Sequence, residues 1–355
     1  MAKDRLKIVE VSGSYENMGS KLGSACKREV RDMLAETRES VKRRQLDWEK
    51  AKANAGKHLP FVEDFNKDQI EFMKGYSKGS GVPFEDLFVM FCMDEKGLCT
   101  DIMVNGDATA DGGVYSAHTE DWTVTSEERL VLVKAKPKGK PALMVMTLGG
   151  LEWIVGVNSA GLSLTGNSLY QNDTRIGVPK LMVAPKVLAA ETPGEALASA
   201  TPEHRGSSYN NNITHSSGEM YSVEGTATDF AVLYPDDGYL VHANHYLHPR
   251  LMKYETAFGG DGVRTIEGAS STVVRYHRAL RLIRSQLGDV TKESLMEIMR
   301  DHVNRPGSIC RHVRKEDPPH ERCKTTFAVV LDPVKKKMHL CLGNPCEGEF
   351  KEQGL

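Results

Sequence analysis

Cys99 is the residue that could do chemistry most directly. It lies in Lys96-Gly97-Leu98-Cys99-Thr100-Asp101, and His118 and Asp121 follow in His118-Thr119-Glu120-Asp121-Trp122. A thiol ionises near 8.5 when free, so a nucleophilic cysteine needs a base or a positive neighbour. Two arrangements would supply one. A histidine such as His118, with an aspartate, would make a thiol hydrolase of the Cys-His-Asp type. Alternatively, cutting the Leu98–Cys99 peptide would give Cys99 its own α-amino group, which titrates near ~8 and stands one residue from the sulfur. A buried, inert core thiol is the plain reading of any single cysteine.

These residues sit where the sequence pattern changes. Residues 14–95 read as helical: Val30, Leu34, Thr37 and Val41 recur at steps of four, three and four, amid a charged and solvated face. Further helices are expected over Lys67–Tyr76 and after Pro83, with Phe84, Leu87, Phe88 and Phe91 buried. From Cys99 onward the chain breaks into short strand-like runs: Thr100–Asn105, Gly113–His118, Leu130–Ala135, Ala142–Thr147, Trp153–Val157 and Leu162–Leu164. Two helices, Lys180–Glu191 and Thr192–Ala200, separate these from strands at Asn211–His215, Met220–Glu224, Asp229–Tyr234 and Tyr239–Ala243. Helices Ser271–Leu287 and Thr291–Val303 and strands Thr326–Leu331 and Met338–Leu342 complete the pattern. Runs of strands in place of alternating strand–helix units predict antiparallel sheets, two of them between helical layers. The expected fold class is α+β, a four-layer αββα sandwich with a helical N-terminal part.

Composition narrows the partners. The chain has 355 residues, 40% hydrophobic, with a net charge of -2, enough to bury a sizeable core. No basic excess exists to neutralise a phosphate backbone, so nucleic acid is not expected. No apolar run approaches the ~18 residues of a transmembrane helix, and no secretory signal or peroxisomal ending is seen; a cytoplasmic, membrane-free protein is expected. The seven cysteines include no C-x-x-C pair, the closest C-terminal spacing being Cys341 to Cys346. Seven is odd, so a complete disulfide framework within one chain is excluded, and on these spacings neither zinc nor any other metal or cofactor is expected.

Several segments stand out in order: Val11-Ser-Gly-Ser-Tyr-Glu-Asn-Met-Gly19, Gly75-Tyr-Ser-Lys-Gly-Ser-Gly-Val-Pro-Phe-Glu-Asp-Leu87, Cys99-Thr100, Ala108-Thr-Ala-Asp-Gly-Gly-Val114 with Glu120-Asp-Trp122, and Asn158-Ser-Ala-Gly-Leu162 with Gly166-Asn167. Val241-His-Ala-Asn-His245, Ser308-Ile-Cys-Arg-His312 and Gly343-Asn-Pro-Cys346 follow. Taken together, this ordered set resembles the acyl-CoA:6-aminopenicillanic acid acyltransferase family, the isopenicillin N acyltransferase-like N-terminal nucleophile hydrolases. The resemblance implies that Cys99 cleaves its own N-terminal peptide and then acts as nucleophile. It makes Asp121 the holder of the new α-amino group and Asn244 the side-chain amide that donates to the oxyanion. It places Asn167 beside the site as a backbone N–H donor and Arg311 as a site arginine. The chain departs from the family at Asp101, where the residue is usually small or hydroxylic, and at Leu98, where glycine is common.

The boundaries implied are 1–98, a helical segment that becomes the α chain, and 99–355, the catalytic part that becomes the β chain. The two stay associated, and a homo-oligomer is compatible with the sequence. The implied activity is an amidohydrolase acting on a small N-acyl substrate, with acyl transfer from coenzyme A, or a non-maturing binding protein of the same fold, as alternatives. His118, His242, His245 and His312 have no required role in such a mechanism and read as structural.

Overall fold

The computed structural model describes residues 6–93, 97–235, 237–256 and 266–355. It opens on a strand that the sequence pattern does not show, β1 (Lys7–Gly13), with only Val11 buried. Six helices follow: α1 (Tyr15–Ala25), α2 (Lys27–Arg43), α3 (Trp48–Gly56), α4 (Leu59–Phe65), α5 (Lys67–Ser80) and α6 (Phe84–Cys92). Residues 94 and 95, the end of the predicted helical stretch, lie outside the described residues. Caps set the boundaries. The side chains of Ser14, Asp47 and Asn66 each accept a backbone N–H three residues on, and Gly81, at φ +75°, ends α5 in the left-handed conformation. On α2, Val30, Met33, Thr37 and Val41 are buried while Leu34 is half-buried, so the stripe is rotated slightly from the expected one.

Helices α1 and α5 meet backbone to backbone. A Cβ at Gly19 would lie 2.0 Å from the Phe72 carbonyl oxygen, one at Gly75 2.0 Å from that of Glu16, and one at Gly79 2.0 Å from that of Ser20. Glycine, without a Cβ, permits this approach. The two N-terminal segments that resemble the family therefore hold each other.

The strands β2 (Leu98–Val104), β3 (Tyr115–Thr123), β4 (Leu130–Pro137), β5 (Leu143–Leu148), β6 (Glu152–Asn158) and β7 (Leu162–Ser168) come next. Short helices α7 (Ala184–Leu188) and α8 (Pro193–Ala200) precede β8 (Tyr209–His215), β9 (Met220–Gly225), β10 (Phe230–Leu233) and β11 (Tyr239–His242). Helices α9 (Ile266–Arg284) and α10 (Lys292–Met299) lead to β12 (Cys323–Asp332), β13 (Lys337–Leu342) and β14 (Lys351–Gly354).

Eight strands form one sheet in the order β1-β4-β5-β6-β7-β8-β9-β10, and six form the other in the order β11-β2-β3-β12-β13-β14. Among the described residues each pairing of these strands is antiparallel but one: β1 runs parallel to β4, a departure from the antiparallel sheets expected. Six helices and two strands lie between them in sequence, the long crossover that a parallel pair requires. The sheets face each other through β2 and β3 against β7. Helices α1, α7 and α8 cover the larger sheet, and α9 and α10 cover the smaller. This is the α+β, αββα arrangement expected. β12 shows how both faces fill. Phe327, Val329 and Leu331 join the apolar cluster of the larger sheet, while Ala328 and Val330 join the one beneath α9 and α10. Among the described residues no helix is long and apolar enough to cross a membrane.

Candidate active site

The β2–β3 register positions the site. Leu98 pairs with Asp121, Cys99 with Glu120 and Asp101 with His118. Side chains alternate between faces along a strand. Cys99, Asp101, His118 and Glu120 therefore share the face toward β7, whereas Asp121 turns to the other.

On the β7 face a chain of buried polar groups starts at the thiol. Cys99 Sγ lies 3.6 Å from Glu120 Oε1. Glu120 Oε2 is 3.2 Å from His118 Nε2, and His118 Nδ1 is 3.1 Å from Asp101 Oδ1. Asn167 Nδ2 donates to Asp101 Oδ2 at 2.5 Å, and the amides of Asn210 and Asn212 each donate to Asn167 Oδ1 at 3.2 Å. Burial disfavours the imidazolium, but the Asp101 and Glu120 carboxylates outweigh it and raise His118 to about 10. Both carboxylates thus favour the charged form of His118. Burial, then Glu120, Asp101 and Asp121, push the Cys99 thiol well above its ordinary value, against a backbone hydrogen bond from Ser168. Burial also raises Glu120, opposed by His118. Cys99, His118 and Glu120 bring potential metal ligands together, but both imidazole nitrogens already face carboxylates.

The backbone of Cys99 has its own partners. Its N–H donates to Asn244 Oδ1 at 2.9 Å. Arg275 Nη2 donates to the same oxygen at 2.7 Å, Arg275 Nη1 donates to Thr100 Oγ1 at 2.7 Å, and Nη1 also donates to the Cys99 carbonyl. Asn244 Nδ2 donates to the Ser168 carbonyl at 3.1 Å. Behind β3, Asp121 Oδ1 accepts from Thr325 Oγ1 at 2.6 Å and Oδ2 from Arg311 Nε at 3.2 Å. Burial raises Asp121, and Arg311 and Arg275 oppose the rise.

Of the residues singled out in the sequence, Cys99 and Asn244 are therefore in direct contact. Asn167 reaches the cluster through its side chain, on Asp101. Asp121 and Arg311 form an ion pair, and Asp121 stands opposite Leu98 in the β2–β3 pairing. His242 faces Glu224 at 2.8 Å and His245 faces Thr272 at 2.9 Å. Sequence reasoning missed Arg275, and it left His118, Glu120 and Asp101 without roles. A signal for Arg275 existed: Thr272, Arg275, Ala279 and Ile283 recur at steps of three and four and are all fully buried, so the arginine stands on the apolar stripe of α9.

Cys99 opens onto a cavity of about 50 Å³ lined largely by apolar groups, among them Trp122, Trp153, Ile154, Leu164, Leu181 and Tyr209. Two polar atoms of its lining residues, Trp153 Nε1 and Thr165 Oγ1, are buried with no hydrogen-bond partner.

Residues 108–347 match the family model described as acyl-coenzyme A:6-aminopenicillanic acid acyl-transferase. The 40 kDa form of acyl-coenzyme A:6-aminopenicillanic-acid-acyltransferase of Emericella nidulans is 26% identical over 239 residues, 67% of this chain and 63% of that protein. The match thus spans less than two thirds of that relative's length. Among solved structures, a variant of the conjugated bile acid hydrolase of Clostridium perfringens is 14% identical with a TM-score of 0.47, over 72% of this chain and 97% of that one. Penicillin V acylase of Agrobacterium tumefaciens is 13% identical with a TM-score of 0.43, over 69% and 83%. With the family model matched across more than half of its length, the chain belongs to the acyl-coenzyme A:6-aminopenicillanic acid acyl-transferase family.

Proposed function

We propose that this protein is an N-terminal cysteine nucleophile amidohydrolase, matured by cleavage of its own Leu98–Cys99 peptide and acting on a small N-acyl substrate. The observation that carries the reading is the state of His118. With both of its ring nitrogens facing the Asp101 and Glu120 carboxylates, it offers no nitrogen to the thiol, so a Cys-His hydrolase with an uncut chain lacks its base. Cleavage supplies one. Cys99 Sγ attacks the Leu98 carbonyl carbon, the Leu98–Cys99 C–N bond breaks to free the α-amine as a thioester forms, and water then cleaves the thioester into the Leu98 carboxylate and the Cys99 thiol.

That amine keeps the place of the present backbone N–H, against Asn244 Oδ1. It takes the thiol proton as sulfur attacks the substrate carbonyl, and gives it to the leaving amine as the acyl-enzyme forms. Asp121, steadied by Thr325 and Arg311, is the carboxylate assigned to the ammonium. Asn244 Nδ2 is assigned to the oxyanion, a contact it gains by releasing the Ser168 carbonyl. Arg275 and Asn167 hold Asn244 and Asp101 in place. The apolar cavity with its unpartnered Trp153 Nε1 and Thr165 Oγ1 suits a short acyl group that carries an acceptor atom.

Water, at ~55 M, resolves the acyl-enzyme unless an acceptor site excludes it. Hydrolysis is therefore favoured over transfer to an amine, the activity in the name of the Emericella nidulans relative. The test is a partition experiment. The protein is loaded with a thioester or amide donor, an amine acceptor is varied, and free acid is quantified against new amide. Free acid should dominate. Amide dominating at millimolar acceptor would replace hydrolysis by transfer.

A further inference from the structure

Behind Asp121 lies a second cluster, one that catalysis at Cys99 does not use. Cys310 and His312 flank Arg311, His302 follows α10, and Cys346 stands in the turn after β13. The two sulfurs are 3.5 Å apart. His312 Nε2 lies 3.6 Å from Cys310 Sγ, 3.4 Å from Cys346 Sγ and 3.0 Å from His302 Nε2. All four ligand atoms fall within 4.8 Å of one another.

We propose that His302, Cys310, His312 and Cys346 bind one Zn²⁺ in a closed, structural Cys₂His₂ site. Zinc takes sulfur at about 2.3 Å and imidazole nitrogen at about 2.0–2.1 Å in a tetrahedron, whose edges are then about 3.8 Å for S···S, 3.5 Å for S···N and 3.3 Å for N···N. The four distances given above come within about 0.3 Å of these edges. The sulfurs are too far apart for a disulfide, which needs about 2.05 Å. Two thiolates and two neutral imidazoles cancel the charge of the ion, and the ligand set is the soft, tetrahedral one that selects zinc. Cys310 Sγ also receives Asn344 Nδ2 at 3.5 Å, a donor suited to a thiolate. His302 and Cys346 are exposed, which gives the ion a path from solvent.

Four protein ligands leave no open position, so the ion is structural. It ties three segments together around Arg311, whose backbone N–H bonds Thr325 Oγ1 at 2.8 Å and whose carbonyl accepts from Asn344 Nδ2 at 2.6 Å. Arg311 in turn holds Asp121. The fold gathers the four ligands from three separate segments, so their spacing in the sequence does not mark a zinc site.

The test uses the full chain, purified without a metal-affinity tag and without chelator, with metal measured by mass spectrometry. About one zinc per chain is expected, falling roughly tenfold or more in Cys346→Ser and in His302→Ala. Because a variant can fail to fold, the wild type is also stripped and titrated with Co²⁺. Tetrahedral d–d bands with thiolate-to-cobalt charge transfer should appear and be displaced by Zn²⁺. Folded wild type that carries no zinc and gives no such spectrum overturns the proposal, as does a Cys310–Cys346 disulfide in freshly isolated protein. The outcome does not depend on whether Leu98–Cys99 is cut.

Discussion

Asp101 and Glu120 grip His118 from both sides, and that grip sets a pH dependence. The folded-state value of about 10 lies above the ordinary 6.5. Its contribution to stability is full below pH 6.5 and is lost as pH rises through 10. Denaturant unfolding at several pH values should therefore show the wild type losing its advantage over His118→Gln across that window; a constant difference would contradict the ion pair. Asn244 is also fully buried and serves both the Cys99 N–H and Arg275. Asn244→Ala should lower turnover by about 10²–10³ and cost about 1–3 kcal/mol of stability for the buried groups it orphans. Kinetics near normal would remove it from the site. Cys99 and Asn244 were legible because ordered motifs surround them. Arg275 was not, since one arginine in a charged amphipathic helix looks like surface until its apolar neighbours are aligned.

At the scale of elements, the strands with strong apolar runs were legible, and the edge strands were not. β14 is Lys-Glu-Gln-Gly and buries nothing, and β1 alternates in exposure but fully buries Val11 alone, so neither carries the run of buried apolar residues that marks the inner strands. The helix expected at Lys180–Glu191 shrinks to α7, because Pro185 has no N–H to donate and fits only the first turn. Thr192 caps α8, its hydroxyl accepting from Glu195 N at 3.2 Å. Glu195 Oε2 accepts from Glu191 N, one residue before the cap. The α1–α5 contact makes its own prediction. Gly75→Ala or Gly79→Ala must force the helices apart, at a cost of about 1–3 kcal/mol or more, with a melting temperature lower by several degrees. Gly194→Ala, where an added Cβ meets nothing within 4 Å, is the control. Equal behaviour of the two would refute the close approach.

Across the whole molecule, the proposed cut would leave one fold made of two chains. β1 pairs with β4 along seven residues, from Lys7 with Val131 to Gly13 with Pro137, and α1 lies on the same sheet. The smaller piece thus completes the larger sheet, and the two should co-elute without denaturant and separate only on unfolding. The layered architecture was legible from the order of helix and strand runs, whereas the join between chain start and sheet was not, because it is made by long-range pairing of a weak strand. The central claim, that Cys99 works with its own freed amine, is tested most directly by the denatured mass of freshly purified protein beside Cys99→Ala. Because that activation requires the cut, the wild type should give pieces of about 11 and 28 kDa, the larger beginning at Cys99, and Cys99→Ala one chain near 39.3 kDa. A wild type that stays whole while hydrolysing N-acyl substrates, or a Cys99→Ala chain cut as readily, would contradict the account.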